Sequence, residues 1–545
     1  MVEEKQNLKI EAAAVLFFSF LIALSGLGQA LHMDEPFFLV VGAHLLKAPL
    51  HPFNFSFNWY GQTVLYAKLN NTPPLFHYLL ALGLEISKGK LWLLRALFMP
   101  LDLLSALFLY LIAANFLKRP LWPTLITLAS PAYLINLPHL MPEKLMAVFS
   151  FLCLYALIRA FEDQNEIWYW ISALALNFAL LSKYAALFLL FPALSYSLHY
   201  KKPFLKTISY FLISIAGLLL YFLYDRLTNH AVLSAVAGVF ATPNIALLPF
   251  HKTRSFLSFT GGLGIAATLW PLLFLKKNFK AHILCLTGAL LLFLPFFDTP
   301  HAVISIFERG LGIFFSYLAI ISFLELFPAR ALKGWPLWMS WFFAAGLLQL
   351  TLYWSIAARI FIFILPPLIL GLAEKMESRL KGKTLRMIMI ASFFLTLSLS
   401  LALRQVDFAY ASSQKKFSHW VKDRYIARGK KVWFTGHWGF QYYMEKAGAA
   451  EENWPPQKMK TGDIFITPTI NTNLMLPFPL TNRLKWIDEV TIQNPFPLRL
   501  MGSSAVPNEA GFYSSVFGFL PYTLSSVPLD KFLVFQIQKI PKTAK

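Results

Sequence analysis

Charge is scarce in this sequence. Lys, Arg, Asp and Glu make up 14% of its 545 residues, where a soluble domain carries about 25%. Acids are the scarcer sign, 27 against 48 basic residues. Cysteine is rarer still: Cys153 and Cys285 both fall inside hydrophobic runs. Two such residues exclude a disulfide framework and a thiolate metal site, and read as small core residues. No internal repeat and no low-complexity tract is visible.

Apolar residues fill the space. The chain is 57% hydrophobic with 53 Phe, its mean hydropathy is +0.56, and long apolar runs recur from Ala12 to Leu403. Runs of about twenty residues fit transmembrane helices and exceed barrel strands, so a polytopic helical membrane protein is predicted. The net charge of +21 does not point to nucleic acid. The basic residues sit in short clusters between apolar runs, at Lys118-Arg119, Lys201-Lys202, Lys276-Lys277, Arg330-Lys333 and Arg379 to Arg386. That is the pattern of cytoplasmic loops, and no nucleic-acid-binding motif accompanies it.

With a cytoplasmic N-terminus and the first run retained as a span, about thirteen crossings place every dense basic cluster inside and the C-terminus outside. The predicted organisation is a transmembrane domain over 1–403, with a long first external loop at 32–90, and a soluble extracytoplasmic α/β domain over 404–545. In the latter, "KKVWFTGHW" and "GDIFITPT" read as strands around a helical "GFQYYMEKAG". The fold class is thus an all-α polytopic membrane domain with a small C-terminal α/β domain.

Ionisable residues near hydrocarbon are the informative ones. On the external side these are Asp34 and Glu35 after the first span, Glu143 opening the fourth, Lys183 at the turn of the fifth and sixth, and Arg309 and Arg359 before later spans. A lone acid at a helix start is favoured by the helix dipole alone, and a lone Lys or Arg at a span end can simply snorkel. Two adjacent acids at the C-terminal end of a span oppose the dipole and call for a function. Taken together, the set suits a lipid-linked substrate with an anionic head group at the bilayer surface. The basic residues would hold a phosphate and a carboxylate would take a proton from a hydroxyl. Arg95 and Asp102 share a helical face and can pair. His32, His51, His139 and His301 read as interfacial histidines, since no pair has ligand spacing.

At these residues the chain resembles the polyprenyl-phosphate-sugar glycosyltransferases of the GT-C fold. The nearest branch holds the protein O-mannosyltransferases (glycosyltransferase family 39) and the lipid A aminoarabinose transferases. The resemblance rests on "HMDEPFF", "NTPPLFHYLLAL", "LLSKYAALFLLFP", "ARIFIFILPPLIL" and "VWFTGHWGFQYYMEKAG". It implies inverting transfer of a sugar from a polyprenyl-phosphate donor to a hydroxyl acceptor (lipid, polysaccharide or protein) at the outer membrane face. Asp34 would be the catalytic base with Glu35 beside it, Glu143 the second acid, and Lys183, Arg359 and Arg309 the phosphate-binding cations. Glu143 stands where the family has Asp. Asn70, Asn71 and Thr72 stand where aminoarabinose transferases have an acid, so no metal ligand is carried over and a divalent ion is left open as cofactor. The implied location is a bacterial inner membrane with the site facing the periplasm. The alternative is a transporter or flippase of lipid-linked sugars, which would also need cations near lipid phosphate.

Overall fold

The computed structural model describes residues 2–539 except 60, 70–71, 229–248, 278, 295–304, 452–458, 472–481, 504–505 and 507. The chain is mostly helical. Among the described residues six helices are long and apolar enough to cross a membrane, or seven if Phe250–Leu263 and Ile265–Phe274, bent by 92°, make one span. Shorter apolar helices, such as Glu166–Ser182, pack among them. The protein is an integral membrane protein.

The first eight helices are α1 (Val2–Ser25), α2 (Glu35–Leu45), α3 (Leu75–Ser87), α4 (Leu91–Phe116), α5 (Leu121–Ala129), α6 (Pro131–Asn136), α7 (Pro142–Glu162) and α8 (Glu166–Ser182). The apolar run 121–137, which by length and composition reads as one span, divides into α5 and α6 at Ser130, whose ψ of 150° is extended. Pro131 supplies no N–H and its ring clashes with the preceding turn, so one helix cannot run through. The same residue is well placed at the first position of α6, and Pro142 plays that part in α7. Almost every side chain of α7 is buried, which makes it the centre of the helical core.

Helix Gly382–Arg424 has 43 residues. At 1.5 Å per residue it is about 65 Å long, twice the ~30 Å hydrocarbon thickness. Its apolar half ends at Leu403, and the rest continues as an amphipathic helix that buries Asp407, Gln414 and Phe417. Phe417 stacks on Phe532 at 4.0 Å, anchoring this extension to a five-stranded sheet. The sheet comprises β3 (Val432–Phe434), β4 (Ala450–Glu451), β5 (Ile464–Pro468), β6 (Leu484–Ile492) and β7 (Asp530–Ile537), in the order β4-β3-β5-β7-β6. Strands β3, β4 and β5 are parallel, with helix Trp438–Ala447 as the β3–β4 crossover, while β7 runs antiparallel to β5 and β6. In the first external loop a hairpin of β1 (Ser56–Trp59) and β2 (Gln62–Leu65) reaches this region through Asn58, which bonds Glu445 at 2.8 Å.

Candidate active site

The two adjacent acids do not cap the first span. Helix α1 stops at Ser25, and α2 begins at Glu35 with Asp34 as its N-cap. They therefore sit at the positive end of a helix, which favours both charges. Met33, just before them, has a left-handed φ of 48°, a backbone conformation that costs of order 1–3 kcal/mol at a non-glycine residue.

From this turn the two side chains diverge. Asp34 Oδ2 accepts from Arg359 Nη1 at 2.7 Å. Arg359 Nε in turn lies 3.3 Å from Glu143 Oε1, and Lys183 Nζ donates to the same Glu143 oxygen. Four expected residues, from four distant points in the chain, thus form one row: Asp34, Arg359, Glu143, Lys183. The charges alternate and cancel. Asp34 and Arg359 remain 33% and 26% exposed, whereas Glu143 and Lys183 are 4% and 8% exposed, so the row has an open end and a buried end. Glu143 lies in the first turn of α7, and Lys183 is the extended residue that ends α8. The helix ends at Lys183, whose φ of −160° is extended, and this frees the side chain from the α8 surface.

The open end faces a cavity of about 190 Å³. Asp34, Lys183 and Arg359 line one side. Trp59 of β1 and His437, Trp438 and Tyr513 of the C-terminal region line the other. None of these four was singled out by residue in the sequence, although His437 and Trp438 lie within "VWFTGHWGFQYYMEKAG". Trp438, like Met33, has a left-handed φ, here 58°, so two strained residues border one cavity. A larger groove of about 910 Å³ beside Phe408, Phe417 and Trp420 is apolar and contains none of the expected site residues.

Glu35 points away from the cavity into a fully buried polar network. Its carboxylate accepts from the backbone N–H groups of His32 and Leu140, each at 2.8 Å, and pairs with Arg95 at 2.8 Å. Burial pushes the Glu35 pKa up, but Arg95 and His139 together outweigh it and hold the carboxyl below its usual range. His139 bridges Glu35, 3.3 Å from Nδ1, and Asp407, 3.5 Å from Nε2. Burial drags the His139 pKa down, but the two carboxylates win and raise it. His32 lies 3.6 Å from Asp407, and Gln29 and Tyr513 donate to Asp407 at 2.6 and 2.7 Å. His32 and His139, expected at the interface, are instead fully buried, both beside the Asp407 carboxylate. Burial holds the His32 pKa down to about 4.

Two other expectations part from the structure. Arg95 and Asp102 do not pair: both Asp102 oxygens take Lys144 at 2.7 Å, leaving Arg95 to Glu35. Sharing a helix face allowed the contact, but closer partners on other helices took each group. Arg309 does not line the cavity; its guanidinium donates to the Phe293 carbonyl at 2.6 Å. His301 lies outside the described residues. Among the described residues no group of three or more His, Cys, Asp or Glu side chains is placed to hold a metal ion.

Residues 71–249 match the family described as dolichyl-phosphate-mannose-protein mannosyltransferase. The chain resembles the GT-C glycosyltransferases. The matched stretch contains Glu143 and Lys183, while Asp34 and Arg359 fall outside it. No curated protein sequence matches the chain. Crystal structures of ArnT from Cupriavidus metallidurans, in the apo state and bound to undecaprenyl phosphate, superpose with TM-scores of 0.41 and 0.39 at 10% and 12% identity. Each alignment covers 84% of this chain and 92% of that one.

Proposed function

We propose that this protein is an inverting glycosyltransferase. It would move a sugar from a polyprenyl-phosphate donor to a hydroxyl acceptor, with Asp34 as general base. The observation that carries the reading is the row Asp34–Arg359–Glu143–Lys183 opening into a cavity. The matched family's description supplies the donor class.

A lipid-linked sugar phosphodiester carries one negative charge, and its departing phosphate gains a second as the C1–O bond breaks. Arg359 and Lys183 meet that developing charge where it forms, which is the interaction that lowers a barrier most. The acceptor oxygen forms its bond to C1 from the face opposite the phosphate, and its proton passes to Asp34. Asp34 suits the part because it is open to the cavity and stays paired with Arg359 only until the donor phosphate competes for that guanidinium. Glu143 lies between the two cations and balances their charge. Glu35 is a positioning residue, tying the turn that presents Asp34 to α4 and to the loop before α7.

In this reading residues 1–403 form the membrane catalytic domain with about thirteen crossings, the shorter apolar helices completing the set. Residues 404–545 form an extracytoplasmic domain, and the site faces the periplasm of a bacterial inner membrane. The placement of the basic clusters supports that orientation.

The test is transfer of labelled sugar from a panel of polyprenyl-phosphate sugars by membranes containing wild type, Lys183→Met or Arg359→Met protein. The reading expects turnover of at least one donor by wild type and a loss of about 10²-fold or more in both variants. Lipid flipping without transfer would instead establish the transporter.

A further inference from the structure

The segment that carries Arg359 is held from the C-terminal region. Ala357 is extended, at φ −135° and ψ 139°, and Arg359 sits in the single turn Ala358–Ile360 ahead of helix Phe361–Arg379. An extended stretch at a helix start cannot satisfy its own backbone, so its N–H and C=O groups need partners elsewhere. They find them in one loop, residues 509–520. The Ser515 N–H donates to the Ile356 carbonyl at 2.7 Å, and the Ile356 N–H donates back to Ser515 Oγ at 3.0 Å. The hydroxyl thus takes the place that a carbonyl fills in an antiparallel strand pair. Two residues on, the Ala358 N–H donates to the Phe512 carbonyl at 2.9 Å. Ser515 and Ile356 are both fully buried, so water does not replace these bonds.

The loop is itself tightly fixed. The Ser515 carbonyl accepts from His251 Nε2 at 3.0 Å. The loop closes where the Gly511 N–H donates to the Leu520 carbonyl at 2.7 Å and the Leu520 N–H to the Glu509 carbonyl at 2.8 Å. Its backbone crosses itself so closely that a Cβ on Gly511 would lie 2.0 Å from the Gly518 carbonyl oxygen. The same loop reaches the other half of the Asp34–Arg359 pair. Tyr513 donates to Asp407, and Asp407 neighbours His139, which lies beside Glu35 in the turn that presents Asp34. One loop is therefore tied towards both ends of the 2.7 Å contact between Asp34 and Arg359.

Resting on the proposed transferase reading, we infer that Ser515 is a positioning residue for the donor: through its pair with Ile356 it sets where the Arg359 guanidinium meets the lipid-linked phosphate. The C-terminal region is then part of the donor site. Loss of the hydroxyl leaves the Ile356 N–H buried without an acceptor, and segment 355–360 draws away from the loop to relieve it. A guanidinium displaced by about 1 Å no longer presents its N–H groups to the phosphate in productive geometry.

The experiment measures binding of a radiolabelled polyprenyl phosphate to the full-length, detergent-solubilised protein. Ser515→Ala is expected to bind at least about fivefold more weakly than wild type. In the Arg359→Met background the same substitution should change binding by less than about twofold, because the group it positions is gone. A loss of equal size in both backgrounds would make Ser515 a structural residue only and overturn the inference, as would wild-type affinity in Ser515→Ala. Hydrogen exchange in the unliganded wild type tests the same coupling with no variant. The amides of Ile356 and Ala358 should open with the Ser515 amide, since their bonds span the two segments. Protection at Ile356 and Ala358 that outlasts the exchange of Ser515 also overturns the inference. Sugar transfer by wild type alongside any of these contrary results leaves the transferase standing. Failure of wild type to bind the polyprenyl phosphate removes the donor reading, and this inference with it.

Discussion

Replacing Glu35 by Gln should damage the fold before it touches chemistry. The Glu35 carboxylate, fully buried, holds two backbone N–H groups at 2.8 Å and the Arg95 guanidinium at 2.8 and 3.1 Å. An amide turns one of its oxygens into a donor facing donors and leaves the Arg95 charge buried without its counter-ion. Removing one partner of a buried pair costs about 3–5 kcal/mol, whereas replacing both by apolar groups is close to neutral. Glu35→Gln should therefore lower the thermal unfolding midpoint of the detergent-solubilised protein sharply, and Glu35→Met with Arg95→Met should restore much of it. Asp34→Asn, at a part-exposed position, should leave the midpoint almost unchanged. Since a membrane protein of this size need not unfold in two states, the midpoints are compared as shifts. Wild-type melting of Glu35→Gln together with abolished transfer would refute the reasoning and place Glu35 in the chemistry.

Arg359→Lys should cost at least about tenfold in transfer, because a single ammonium cannot span Asp34 and Glu143 as the planar guanidinium does; steady-state rates with the preferred donor decide it. Gly439→Ala should weaken both stability and transfer, since a Cβ there would lie 2.3 Å from the Leu31 carbonyl and push helix Trp438–Ala447 off the turn that carries Asp34. Burial raises the Asp530 pKa from 3.8 to about 7. The folded chain thus keeps a proton that the unfolded chain releases, and the stabilisation present below pH 3.8 is lost as pH rises through about 7. Asp530→Asn, which keeps an acceptor for the N–H groups of Thr469 and Ile470, should flatten the fall of the unfolding midpoint across that range.

Much of this was legible in the residues themselves. Asp34, Glu143, Lys183 and Arg359 announced themselves as ionisable groups at the edges of apolar runs, where solvation is costly and chance placement rare. Their assembly into one row was not legible, since it depends on how α7, α8 and the segment before helix Phe361–Arg379 pack. The strands around 432 and 464 and the helix between them followed from composition and periodicity. The division of 121–137 was missed, although Pro131 stands inside the run and forbids one continuous helix. Partner choice was not: Arg95 could reach Asp102 on its own helix, yet tertiary packing offered Glu35. His437 and Trp59 were not singled out because each lies in an aromatic-rich stretch, "VWFTGHWGF" and "FNFSFNWYG", in which no one ring stands apart. Only the approach of the β1–β2 hairpin to the C-terminal region makes them neighbours.

The most direct test of the account is single-turnover transfer by Asp34→Asn with donor binding measured in the same preparation. The account predicts that the variant still binds the polyprenyl-phosphate sugar through Lys183 and Arg359 but transfers it at least about 10²-fold more slowly. Transfer at the wild-type rate would remove Asp34 from the reaction and contradict the central claim.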